Sequence, residues 1–505
     1  MAGGITPNRI VTIPLEDYNS DHYLTLLYQS MVNLGWHIGY FDHDGIIAYT
    51  NISWESYSEE VSVRIKGNNV VIKSECVGYQ FWFFDYGKNR KNLDVLLGEI
   101  TYSEFHLQNE LEQTTQELMD AVPEKQFLSL DDPPMAGKEQ LRGFFSPIVP
   151  VKKYMITPIL VIVNTIIFFF TTVCIRVLPL LLKNNPATPH ENIYLKIYLW
   201  LGVNNRTQVL NGQVWRLITN TFLHFSTLHL VGNMIVLVYI GSLIESKLGK
   251  WNYLLMYLCT GITASMVSII WNSAEISGGA SGAIFGLFGI LLALLSTDFY
   301  EKSARKALLI STAIFVAYNI IPIGEGIDHA AHFGGLVSGY LFGWMAYFGL
   351  SHKNNSIKKW GFAFMVSVVA VVFVSCAIIV SPQYQTKQYE VLMEKAEKQF
   401  NEINSDFYHT PDSITRQQKL DIIEHQALPE INELKKTANK ITHLILSRRK
   451  KKEAIARAKL IDLECQTFQL LYRQFKEQNN YKYQEAIDNI TGQINKVRTD
   501  YAKDN

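Results

Sequence analysis

The sequence predicts an all-α polytopic membrane protein, with a small α+β domain ahead of the membrane region and a helical domain after it. Three observations lead there. Between residues 154 and 380 the chain is apolar and its charges fall almost entirely between long charge-free stretches, although 18% of all residues are charged. Both ends are polar. The apolar region divides into seven charge-poor windows, each long enough to span: a bilayer core about 30 Å thick needs about 20 apolar helical residues at about 1.5 Å rise per residue. The windows are Tyr154 to Ile175, Leu217 to Ile244, one within Trp251 to Glu275, Ile276 to Thr297, Ala307 to Gly324, His329 to His352, and Trp360 to Val380. Seven in succession exclude a signal peptide and a single buried core.

Forty-six basic residues balance 46 acidic ones, so no global field favours nucleic acid. The five cysteines form no CxxC pair, which argues against a disulfide framework or a zinc knuckle. No cofactor and no metal are expected. Basic residues in short loops set the orientation. Arg142, Lys152 and Lys153 precede the first window, and Lys247 and Lys250 lie between the second and third. Lys302, Arg305 and Lys306 lie between the fourth and fifth, and Lys353, Lys358 and Lys359 between the sixth and seventh. The loops between windows three and four and between five and six carry none. The longer loop from Lys183 to Arg216 carries a few, where length weakens the rule. The N-terminus is therefore expected on the cytoplasmic side and the C-terminal region outside.

Residues 1–130 are expected to form the cytoplasmic α+β domain. DHYLTLLYQSMVNLGW has helical spacing, HIGYFDHDGIIAYT follows, and VSVRIKGNNVVIKSEC alternates around Gly-Asn-Asn as a hairpin. One polar helix is predicted from Asn92 to Met119. Residues 131–153 read as a linker, marked by Asp131, Asp132, Pro133 and Pro134, and residues 154–380 as the membrane domain. Residues 381–505 read as an extracytoplasmic helical bundle for protein contacts, with apolar positions three and four apart. Its basic run Arg448 to Lys452 suits either anionic lipid headgroups or a solvated helix face.

Ionisable groups inside a bilayer are costly and mark function. Window two and its approach read FLHFSTLHLVGNM, giving His224, His229 and Asn233. Window four opens GGASGAIFG, with Ser281 among Gly279, Ala280 and Gly282, and window six opens DHAAHFGGLVSG, with His329 and His332. A hydroxyl, imidazoles and a carboxamide are the parts of a nucleophilic site. Even-numbered windows run inward from the outer face, so Ser281 and His332, five and three residues into theirs, lie within about 8 Å of the outer end. His229 and Asn233, four apart on one helix face, reach similar depth once the start of window two is given to the outer loop. Glycines at four-residue intervals (Gly282, Gly286; Gly335, Gly339, Gly343) allow the close backbone approach that a Ser-His hydrogen bond needs.

These residues resemble the rhomboid intramembrane serine proteases over Tyr154 to Leu350. The matching elements are Trp215-Arg216, His224 with His229 and Asn233, Gly241 with Glu245, Gly279-Ala280-Ser281-Gly282, and Ala331-His332 with Gly335 and Gly339. The resemblance implies a rhomboid-like six-helix core, with a seventh helix as in the longer 6+1 members. It also implies a catalytic dyad of Ser281 as nucleophile and His332 as general base, with no acidic third member. His229 and Asn233 would stabilise the oxyanion together with the Ser281 N–H, and Phe285 would pack against the catalytic imidazole, where many members have Tyr. His224 would order the outer loop or hold water, His329 would sit at the outer mouth, and Trp215 and Arg216 would anchor the first outer loop. The implied activity is serine endopeptidase cleavage of transmembrane protein substrates within the lipid bilayer, near its outer face, by way of an acyl-enzyme. The expected location is a bacterial plasma membrane, with protein partners for the flanking domains.

The principal rival is a non-catalytic rhomboid-like protein that binds membrane clients; such proteins characteristically lack the serine or histidine, and both are present here. A zinc protease could use the HxxH of His329 and His332 with His224 or His229, but there is no HExxH to supply a general-base Glu. No Asp occupies a spanning window, against an aspartyl protease. A transporter would leave the Gly-Ala-Ser-Gly paired with a downstream His unexplained.

Overall fold

Alternation of apolar and polar residues shapes the first part of the chain. The computed structural model describes residues 7–16, 18–52, 58–77, 85–123, 126, 128–130, 148–182, 193–272, 276–300, 302–320, 327–350, 356–410, 413–479 and 481–503. Strand β1 (Asn8–Pro14) and helix α1 (Ser20–Asn33) precede two hairpins, β2 (His37–Asp42) with β3 (Gly45–Tyr49) and β4 (Glu59–Lys66) with β5 (Asn69–Cys76). The five strands form one antiparallel sheet in the order β1-β5-β4-β3-β2. The second hairpin turns at Gly67-Asn68, as its sequence predicts, with Asn69 already paired. β1 was not anticipated; it lies at the sheet edge and ends at Pro14, where a missing N–H costs no ladder bond.

Because side chains alternate along a strand, β3 divides between two cores. Ile46 and Ala48 pack with Leu24, Leu27 and Met31 of α1 and with Leu93 and Leu96 of α2 (Lys88–Leu107). Ile47 and Tyr49 belong, with Leu128 and Leu130, to the apolar cluster that continues through Tyr154, Leu248 and Tyr300 at the ends of membrane helices. The single polar helix expected from Asn92 to Met119 is two, α2 and α3 (Leu111–Asp120). Leu111, Leu118 and Met119 pack on the α1 core, which requires the chain to turn back after Leu107.

Each of the seven windows contains a helix. They are preceded and interrupted by shorter elements: α4 (Ile156–Leu182), α5 (Ile193–Leu201), β6 (Asn204–Asn205), α6 (Arg206–Leu210), α7 (Arg216–Thr219), α8 (Thr227–Leu248), α9 (Lys250–Trp271), β7 (Ile276–Ser277), α10 (Ser281–Leu295), α11 (Lys302–Ile320), α12 (His329–Leu350) and α13 (Ser356–Val380). Among the described residues four stretches are long and apolar enough to cross a membrane by themselves: Ile156–Leu180, Thr227–Leu248, Lys250–Trp271 and Gly361–Val380. The protein is an integral membrane protein. α5, in the longer loop, has no counterpart in the sequence reading. α8 begins ten residues into its window, the earlier part belonging to the loop as expected.

Window four needs correction. Ser281 is not five residues into a helix but is its first residue, because Ile276–Ser277 form β7 and Gly279 has φ +136°, outside helical space. The resulting 15-residue helix is about 22 Å long. It is too short to cross alone and is enclosed: Gly282 to Leu291 are all buried.

What encloses it most closely is α12. A Cβ at Gly335 would overlap the carbonyl of Gly282, one at Gly339 the carbonyl of Gly286, and one at Gly343 would meet the backbone of Ile290 at 2.9 Å. Backbone lies against backbone over two turns. Gly339→Ala is expected to destabilise the protein by about 1–3 kcal/mol, because neither backbone can withdraw. Gly361→Ala, with open space at the same position on α13, should be neutral or slightly stabilising. Unfolding in detergent measures both, and an unchanged Gly339 variant would refute the close packing.

Residues Ser381–Asn505 form a second compact unit. Its helices are α14 (Thr386–Tyr408), α15 (Arg416–Ile422), α16 (Leu428–His443), α17 (Arg448–Glu477) and α18 (Gln484–Lys503), with a π-helical turn Ile423–Ala427 joining α15 to α16. Ile403, Phe407, Ile431, Leu434, Cys465 and Phe468 form its core. The basic run opens α17, and part of it is used internally: Lys451 Nζ donates to the carbonyls of Thr442 at 2.6 Å and Leu444 at 3.0 Å, closing the end of α16. The expected linker residues Asp131, Asp132, Pro133 and Pro134 lie outside the described residues, as do Arg142, Lys183, Glu275, Gly324, His352 and Lys353.

Candidate active site

The site is built around the turn that precedes α10. β6 and β7 pair antiparallel, Asn204 opposite Ser277, which fixes the chain just ahead of that turn. Buried Asn204 donates to the Ser265 carbonyl of α9 at 2.9 Å. The turn's own N–H groups are held from the segment that precedes α8: Gly279 N donates to the Asn220 carbonyl at 2.9 Å and Ala280 N to His224 Nε2 at 3.4 Å. Asn220 in turn bonds Ser265 Oγ at 2.9 Å. The first intrahelical bond of α10 runs from Ile284 N to Ala280 O. The N–H groups of Ser281, Gly282 and Ala283 therefore have no acceptor within the helix, and its positive end surrounds the Ser281 side chain.

Gly279 is required twice. Its φ is open to glycine, and a Cβ there would sit 2.8 Å from His229 Cε1 and 2.9 Å from Nε2. The His229 ring thus lies over the turn, 5.0 Å from the His224 ring centroid. Asn233, one helical turn on, is buried and donates through Nδ2 to the His229 carbonyl at 2.8 Å. On the facing helix, buried His332 stacks on Phe285 with centroids 4.2 Å apart and planes at 12°. A Cβ at Gly282 would stand 3.7 Å from Ala331 Cβ, beside His332 in sequence. The first turns of α8, α10 and α12 thus meet at one end of the bundle. His329 is the first residue of α12, its ring 6.1 Å from that of His332.

Arg216 is buried and latches the loop. Its Nη1 donates to the carbonyls of Leu199 at 2.6 Å and Val203 at 3.2 Å, its Nε to Gln213 Oε1 at 2.8 Å. The guanidinium lies 4.6 Å from the centroid of the half-exposed Trp215 ring. Among the described residues no three His, Cys, Asp or Glu side chains converge as a metal-ligand set.

Comparison with known proteins finds a match to the Rhomboid domain family over residues 211–349. The chain carries a rhomboid domain. Over 165 residues it is 34% identical to RHOMBOID-like protein 1 of Arabidopsis thaliana, covering 32% of this chain and 42% of that protein. It is 34% identical over 184 residues to Rhomboid protease GluP of Bacillus subtilis (strain 168), covering 35% of this chain and 34% of GluP. Against Rhomboid-like protease 2 of Toxoplasma gondii it is 31% identical over 186 residues, 35% of this chain and 64% of that one. The chain therefore spans less than two thirds of each of these relatives.

Within the rhomboid domain, three residues that hold the site together were not singled out from the sequence. Asn220 and Ser265 are small polar residues in apolar windows and gave no periodic signal. Asp328 gave one: an Asp directly before a helical window is a preferred N-cap, and its Oδ1 accepts from Ala331 N at 3.0 Å.

Proposed function

We propose that this protein is an intramembrane serine endopeptidase that cuts transmembrane helices of membrane-protein substrates near the outer face of the bilayer. The observation that supports it best is the interlock of Gly282 and Gly286 with Gly335 and Gly339, which brings the helix beginning with Ser281 against the helix bearing His332. In this reading Ser281 Oγ attacks the scissile carbonyl carbon while His332 accepts its proton and passes it to the leaving amine as the C–N bond breaks. Water then attacks the ester; His332 takes its proton and returns it to Ser281 Oγ. Phe285 holds the imidazole plane by stacking. The Ser281 N–H at the positive end of α10, with His229 and Asn233, faces the developing oxyanion, where preorganised donors act with little reorganisation. A site at the outer ends of these helices admits water and a locally unwound substrate, and the N-terminal domain is cytoplasmic and the C-terminal unit extracytoplasmic. A bacterial plasma membrane is the location that suits this best. The flanking domains bind protein partners.

The test is reaction of detergent-solubilised protein with a serine-directed fluorophosphonate, beside Ser281→Ala and His332→Ala. Labelling of the wild type that is lost in both variants supports the dyad. Absence of labelling in folded wild type, with a related active protease labelling in parallel, would favour a non-catalytic protein that binds membrane clients. Asn233→Ala is expected to lower kcat about 10²-fold with KM nearly unchanged, as for a group acting in the transition state. A rise in KM with kcat intact would remove the oxyanion role.

A further inference from the structure

His332 lies in the first turns of α12, where a helix frays unless its end is fixed. Three bonds from one carboxylate fix it. Asp328 Oδ1 accepts from Ala331 N at 3.0 Å, the N-cap bond, and from Asn272 Nδ2 at 3.1 Å; Oδ2 accepts from Ser268 Oγ. Ser268 belongs to the last turn of α9 and Asn272 is the residue just beyond it, so the carboxylate joins the start of one helix to the end of another. The Asp328 carbonyl also accepts His332 N at 3.1 Å, the first backbone bond to the imidazole-bearing residue. From Ser268 the chain of contacts continues: Ser268 Oγ lies 3.1 Å from Ser277 Oγ, in the strand that leads into the Ser281 turn. One carboxylate thus lies between the mount of His332 and the mount of Ser281.

We propose that Asp328 is a positioning residue for the dyad, setting the height and rotation of His332 relative to Ser281 by clamping α12 to α9. This rests on the protease reading above. It makes no contact with the reacting atoms, and its effect passes through the backbone of α12. A misplacement of about 1 Å in such a site costs about 10²-fold in rate, so the clamp should appear in turnover and not in substrate binding.

The experiment uses the full chain in detergent, with a transmembrane-helix substrate and the fluorophosphonate as independent readouts of Ser281. Asp328→Ala is expected to lower kcat by about 10- to 100-fold with KM within about two-fold, and to slow labelling in parallel. Asp328→Asn keeps an oxygen for the Ala331 N–H and an amide for Ser268 Oγ, and should restore most of both. Wild-type rates in Asp328→Ala, or equal damage from Ala and Asn, would overturn the positioning role while leaving the protease reading in place. Should Asp328→Ala fail to fold, Asn272→Ala and the double variant Ser268→Ala/Asn272→Ala keep the helix cap; the first breaks one clamp bond alone, and the second breaks both together with the Ser268–Ser277 contact. About a ten-fold loss of kcat is expected in the double variant and part of it in Asn272→Ala, and full activity of both would overturn the proposal. A wild type that neither cleaves nor labels overturns the protease reading and the positioning role with it.

Discussion

Ser281→Ala and His332→Ala are each expected to reduce cleavage of a transmembrane substrate by about 10⁴-fold or more, and the double variant by no more than the worse single one. The non-additivity is the informative part. A hydroxyl at the start of a helix is a weak nucleophile unless a base removes its proton as it attacks, so either deletion disables the same step. Loss of His332's stacking partner adds a control. Phe285→Ala removes the ring stacked 4.2 Å from His332 but neither reacting group, and should give an intermediate loss. Steady-state turnover of the four variants beside the wild type decides it. Additive single losses in the double variant would mean that the two residues act in separate steps, against a dyad.

The broad plan of the membrane region was legible because its signals are one-dimensional: charge-free length marks a helix, and small residues at four-residue intervals mark a face. Those signals located the helices and the glycine seam. They could not show that α10 starts only at Ser281, since the break is made by the φ of Gly279 and by pairing of Ser277 with Asn204, 73 residues apart. Nor could they show what the segment before α8 does. The family resemblance implies a loop-ordering or water-holding role for His224; the structure has it accepting from Ala280 N, one residue before Ser281. In the N-terminal domain the second hairpin is clear from alternation. That β3 is buried on both faces is not, because Ile47 and Tyr49 face a surface supplied by distant residues. Contacts between parts far apart in sequence leave no periodic trace in either part.

Glu245 shows the same limit at higher stakes, since the sequence marks it only as a matching family element and its work is done on another helix. Its buried carboxylate accepts the first N–H groups of α4: Oε1 from Met155 N and Ile156 N, both at 2.6 Å, and Oε2 from Thr157 N at 2.9 Å and Thr157 Oγ1 at 2.7 Å. Gly241, one turn earlier on α8, leaves the room that this needs, because a Cβ there would overlap the Thr157 hydroxyl. Charge-assisted bonds to a helix N-terminus are individually strong, and the helix dipole adds to them. Removing the carboxylate leaves several buried donors without acceptors, each costing about 1–3 kcal/mol. Glu245→Ala is therefore expected to destabilise the protein by about 3–5 kcal/mol, after partial relief by water at the helix end. Glu245→Gln retains one acceptor oxygen but turns an amide N–H₂ toward backbone donors, so it should recover only part of that loss. Unfolding in detergent ranks the three proteins. Equal stability of wild type and Ala would mean that α4 is held to α8 by apolar packing alone, and that the cap is incidental.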